Sequence, residues 1–146
     1  MMKITKFLLV GLISTIALLS TANTVYAEEG ATGDAVYSNG GIGQEEADEM
    51  RTKAGDFNLR LYMSEGKHGH AITGVQTTIT DKKGNIVLDV PSSGPMLFVH
   101  VANGNYTISA VYSGATITRK VAVTNRRGAN VYLSWKTTDT DPYTED

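Results

Sequence analysis

Two histidines one residue apart, His68 and His70, lie in the glycine-rich stretch Gly66-Lys67-His68-Gly69-His70. Neutral imidazoles at that spacing can share a divalent ion if a third ligand arrives from elsewhere. The remaining histidine of the chain is His100, and no cysteine is present, which removes thiolate zinc sites. A weak copper, nickel or zinc site would therefore use His68 and His70 with His100, Glu65 or Asp81. The competing account is two solvated loop histidines and a third, His100, on a half-exposed strand face beside Phe98. No cofactor is expected.

The second group able to act is aromatic. Tyr62 and Tyr132 fall opposite Leu61 and Leu133 in the alternation of their strands, so their rings point away from the core. Exposed rings on a sheet stack on sugars or hold an extended peptide, and they also stiffen a sheet by cross-strand packing. Tyr106 heads a strand just after a turn, where a tyrosine hydroxyl can return to nearby backbone as a tyrosine corner. Gly40-Gly41-Ile42-Gly43 invites a phosphate-loop reading. No strand pattern precedes it, no lysine follows at the required place, and Glu45 and Glu46 would repel phosphate, so an entry turn is the better account. No Gly-x-Ser-x-Gly elbow and no recognisable triad context occur, and the chain is read as a non-enzyme.

Strands must carry these residues. From Gly104 to Val123, apolar side chains recur at every second position on both sides of Ser113-Gly114, as an antiparallel hairpin with one buried face requires. Gly104 and Gly114 take turn roles there. Similar alternation runs from Phe57 to Met63, with Phe57, Leu59, Leu61 and Met63 on one face, and further strands are read at 72–80, 86–90 and 129–135, and at 96–101, where five of six residues are apolar and both faces can be covered. These seven strands predict an all-β, antiparallel Greek-key sandwich. One short N-terminal helix is expected at about 44–54, with acids first, bases last and Gly55 beyond. With only Ala47, Met50 and Ala54 apolar, it should lie loosely on the sandwich.

Lys3 and Lys6 precede an uncharged apolar run from Phe7 to Leu19, and Val25-Tyr26-Ala27 follows, which is the order of a cleaved secretory signal over 1–27. Removal of 27 of the 146 residues leaves 119, one domain, and moves the net charge from −2 to −4 because two lysines are lost. That balance argues against nucleic acid. Residues 28–43 read as a flexible leader, 44–135 as the helix and sandwich, and 136–146 as a disordered acidic tail. The chain is expected in the periplasm or secreted, without a membrane anchor after cleavage.

Gly74-Val75, the turn Asp81-Lys82-Lys83-Gly84, Gly104-Asn105-Tyr106-Thr107-Ile108 and Tyr112-Ser113-Gly114 together resemble the carboxypeptidase-regulatory-like (transthyretin-like) sandwich family. The resemblance spans about half the chain and implies a fold more than an activity. The hydroxyisourate hydrolases of the transthyretin-like branch share a C-terminal Tyr-Arg-Gly-Ser motif. This chain has Asp141-Pro142-Tyr143-Thr144-Glu145-Asp146, so that activity does not carry over. The expectation is a non-enzymatic accessory module that binds an envelope or secreted protein through sheet edges or loops. The alternatives are weak metal capture at His68/His70 and glycan binding on exposed aromatics.

Overall fold

A tight reversal at Ser113-Gly114 organises the smaller of two sheets. In this computed structural model, which describes residues 28–32 and 35–137, both turn residues have left-handed backbone, φ 48° and 77°. A type I′ hairpin needs that geometry at both positions, and glycine supplies it without strain at the second. The turn joins β8 (Gly104–Tyr112) to β9 (Ala115–Val123) in a register that sets Tyr112 against Ala115 and Gly104 against Val123. β5 (Val75–Asp81) pairs with β8, and β6 (Ile86–Ser93) pairs with β5, giving the order β6-β5-β8-β9. Between β5 and β6 the Asp81 carboxylate accepts the backbone N–H groups of Lys83 and Asn85, each at 2.9 Å. These bonds favour the ionised carboxylate and hold its pKa below the ordinary carboxylate range, the Asn85 N–H most of all.

The larger sheet has the order β1-β2-β7-β3-β10, with the short β4 (His70–Ala71) also on β3. Its strands are β1 (Glu28–Thr32), β2 (Ala35–Gly40), β3 (Leu59–Glu65), β7 (Met96–His100) and β10 (Ala129–Trp135). All its pairings are antiparallel except β3 with β10, which run parallel in the register Asn130↔Arg60, Tyr132↔Tyr62, Ser134↔Ser64. Leu59, Leu61, Met63, Leu97, Val99, Leu133 and Trp135 face the other sheet and meet Val75, Ile79, Leu88, Val90, Ile108 and Ala110 in one apolar core.

The outer face of the larger sheet is covered by α1 (Gly43–Lys53), which continues into a 3₁₀ turn, Ala54–Asp56. Ala47 and Met50 press on Met96 and Phe98, so β7 is covered on both faces and its apolar run is explained. Glu46 is buried, and its carboxylate accepts the Gly41 N–H at 2.9 Å, which closes the helix entry.

Four expectations change. Ten strands occur among the described residues rather than seven, and one pair is parallel, so the sandwich is not purely antiparallel. The described residues of the stretch 28–43 are not an unstructured leader: β1 pairs antiparallel with β2, and Gly43 begins α1. The polar residues of β2 find partners inside: Ser38 Oγ donates to Met50 Sδ at 3.3 Å. Asn39 likewise bonds Ser92 O and Gly94 N, both at 3.0 Å. The helix lies at Gly43–Lys53 but not loosely, because Met50 is wholly buried. Phe57 parts from Leu59, Leu61 and Met63 and packs beside the helix. The expected signal at 1–27 and the tail from residue 138 lie outside the described residues. Among the described residues no helix is long and apolar enough to cross a membrane.

Candidate functional site

β4 pairs His70 with Glu65, and His68 sits in the preceding turn with its ring centroid 6.3 Å from that of His70. Both are exposed. His100 ends β7 beside Val36 of β2, and its strand neighbour Val99 faces Leu59 at the start of β3. The His68/His70 turn follows the other end of β3. The length of the strand therefore separates His100 from the pair, and among the described residues no three His, Cys, Asp or Glu side chains gather as a ligand set. The alternative of a metal site on His68 and His70, completed by His100 or a carboxylate, thus finds no assembled ligand set among the described residues.

Tyr62 and Tyr132 are brought together by the parallel register of β3 and β10. Their rings stack with centroids 5.0 Å apart and planes inclined by 16°. Tyr62 also meets Phe98 edge-on at 5.6 Å, and Phe98 meets Phe57 at 6.2 Å, so an aromatic row runs from under the helix to the sheet margin. Burial pushes the Tyr62 phenol up and Tyr132 adds to the push, while Arg60 and Arg51 pull it down. Tyr132 closes the row and is 69% exposed. Tyr106 is differently employed: its hydroxyl donates to Ala102 O at 2.6 Å.

The strand that carries Tyr132 has an open side. Ala129 N donates to Asn58 O at 2.8 Å and Trp135 O accepts from Gly66 N at 2.9 Å. In a parallel ladder the bonding residues of one strand alternate, so Ala129, Val131, Leu133 and Trp135 serve β3. The backbone N–H and C=O groups of Asn130, Tyr132 and Ser134 then point out of the sheet. Among the described residues β10 pairs with β3 alone. Its sequence, Ala-Asn-Val-Tyr-Leu-Ser-Trp, has no charge, proline or glycine. At its far end Trp135 Nε1 reaches across to Ala115 O, 3.0 Å away.

Just before β10 the chain rounds a cleft of about 310 Å³ lined by Asp56, Arg60, His100, Arg126, Arg127 and Gly128, among others. The Arg60 guanidinium is pinned on its floor. It donates to Asn130 Oδ1 (2.6 Å), Phe57 O (2.7 Å), Ala54 O (3.2 Å) and Arg127 O (3.4 Å). Gly128, at φ 64°, lets the turn lie against it, since a Cβ there would stand 2.9 Å from Arg60 Nη2. Asn58 holds the other wall, bonding Val101 through both side-chain atoms and Asn125 Oδ1 at 2.9 Å. No described carboxylate forms an ion pair with Arg60, Arg126 or Arg127.

Sequence reasoning placed Tyr62 and Tyr132 outward but did not pair them, and it passed over the arginine cleft. Arg126 and Arg127 fall in a turn-like Asn-Arg-Arg-Gly stretch, and only the β3–β10 pairing sets Arg60 beside them. Comparison with protein-family models gave no match, and comparison with curated proteins gave none.

Proposed function

We propose that the chain is a non-enzymatic binding module, exported in keeping with the signal-like segment 1–27, that holds a protein partner by strand addition at β10. The observation that carries this reading is the uncharged edge itself, with three outward backbone donors and three acceptors at Asn130, Tyr132 and Ser134. An added strand satisfies those groups, and Tyr132 offers its ring to a side chain of the newcomer. The resemblance to carboxypeptidase-regulatory-like sandwiches agrees with a scaffold that works through edges and loops rather than through a catalytic cavity. A photo-crosslinking residue placed at Tyr132, with a matched one at Thr118 on β9, tests the assignment in the native envelope. The reading expects one abundant partner captured from position 132 through an extended segment, and loss of that product in Ser134→Pro. Equal capture from both positions would sink it.

A second reading has its own observation. The Tyr62/Tyr132 stack, with Tyr132 69% exposed, is a platform on which a sugar ring can lie. Retention on insoluble peptidoglycan that vanishes in Tyr132→Ala supports glycan binding, and passage of the unaltered protein straight through removes it.

A further inference from the structure

The arginine cleft and the open edge are neighbours: Arg127 and Gly128 lead directly into Ala129, the first residue of β10. A strand laid along β10 therefore brings one of its ends over the cleft. We infer that the segment which docks on β10 carries a carboxylate at that end, received by Arg126, Arg127 and Arg60. The inference rests on the strand-addition reading and adds the chemistry of the partner to it.

Three features carry it. First, Arg60 is fixed by four oxygens, none of them anionic, and among the described residues the only carboxylate lining the cleft belongs to the exposed Asp56. A guanidinium has five N–H donors, and the four bonds to Asn130, Phe57, Ala54 and Arg127 leave one on Nη2 for a ligand. Second, the cleft sets three arginines against one aspartate in a chain whose net charge is −2. The excess is local and lies at one end of the edge. Third, the guanidinium is held before any ligand arrives, so little side-chain freedom is lost when a carboxylate pairs with it. Arg126 and Arg127 are exposed and close over the bound group from the turn above.

Capped synthetic peptides matching the seven residues of β10, alternating Thr and Val around a central Tyr, provide the probe. One carries Glu at its first position, one carries Glu at its last, and a third carries Gln at both. Fluorescence polarisation against the full chain measures their affinities at low and high salt. One Glu peptide should bind ~10-fold tighter than the Gln peptide, a ratio set by one charge-assisted contact. The advantage should fall below about twofold in Arg126→Ala/Arg127→Ala and shrink in high salt. Equal binding of all three peptides, or an advantage that survives the double variant, overturns the carboxylate assignment while strand addition stands. Failure of every peptide to bind, or binding indifferent to both Ser134→Pro and Tyr132→Lys, removes strand addition and the inference with it. Sedimentation that finds a dimer abolished by Ser134→Pro gives the edge to a second copy of this chain and likewise overturns the inference.

Discussion

Two strands, β9 and β10, each end a sheet of the same sandwich, and they are defended differently. In β9 the two-residue hairpin makes Tyr112↔Ala115 a bonded pair, so by alternation Thr116, Thr118, Lys120 and Ala122 turn their backbone groups outward. That edge is guarded. Arg119 lies on the same side as the half-buried Ile117 and Val121, its guanidinium bonds the outward Thr118 O at 3.2 Å, and Lys120 follows. Exposed charged side chains set along an edge strand are what sheet proteins use to refuse foreign strands. β10 has no such device, although its inner side is the better anchored, with Leu133 and Trp135 buried. Between these two edges protection is thus selective, and the unguarded one lies beside the arginine cleft.

The sharpest way to press the difference is to weaken each strand's hold on the core. Leu133→Ala, at a fully buried position, should cost about 3 kcal/mol in denaturant unfolding. Ile117→Ala, half-buried on β9, should cost roughly 1 kcal/mol because less apolar surface is lost. Equal costs would mean that β10 is not the firmer strand. Removing the guards is the next step. Arg119→Val/Lys120→Thr should convert β9 into a second open edge and produce self-association in light scattering, with the secondary-structure spectrum unchanged. A double variant that stays monodisperse would show that these charges do not protect β9.

A smaller effect tests the hairpin's anchorage behind β9. Tyr106→Phe loses the bond to Ala102 O and should lower stability by about 1 kcal/mol. The smallest effect concerns the β5–β6 turn, far from both edges. Asp81 has a folded-state pKa below its unfolded value, so it contributes stability above the unfolded pKa that is lost as pH falls through the folded one. Asp81 sits at the surface in contact with solvent, so the contribution is slight. Unfolding midpoints of the protein and of Asp81→Asn should converge as the solution is acidified below the ordinary carboxylate range; midpoints that diverge there would reverse the sign.

The guarded edge was easier to read from sequence than the open one. The β8–β9 hairpin is local: Ser113-Gly114 and period-two apolar residues carry both its turn and its register. Leu59, Leu61 and Met63 likewise announced a buried face by alternation. β10 was legible as a strand, but its parallel partner β3 is separated from it by the whole second sheet, and nothing in a period-two pattern names a distant neighbour. The Tyr62/Tyr132 stack and the cleft over Arg60 both depend on that pairing, so both were out of reach. β2 was missed for another reason. Its Ser38 and Asn39 are acceptable inside only because Met50, Ser92 and Gly94 supply partners from other elements, and composition does not record partners.

Amide hydrogen exchange read by NMR, with and without the tighter of the two Glu peptides, tests most directly that β10 is the open edge. The outward amides of Asn130, Tyr132 and Ser134 should exchange quickly in the free protein and become protected when the peptide is bound, while those of Thr116, Thr118 and Lys120 stay unchanged. Protection that appears on β9 instead, or bound peptide that leaves the β10 amides as fast as before, would contradict the account.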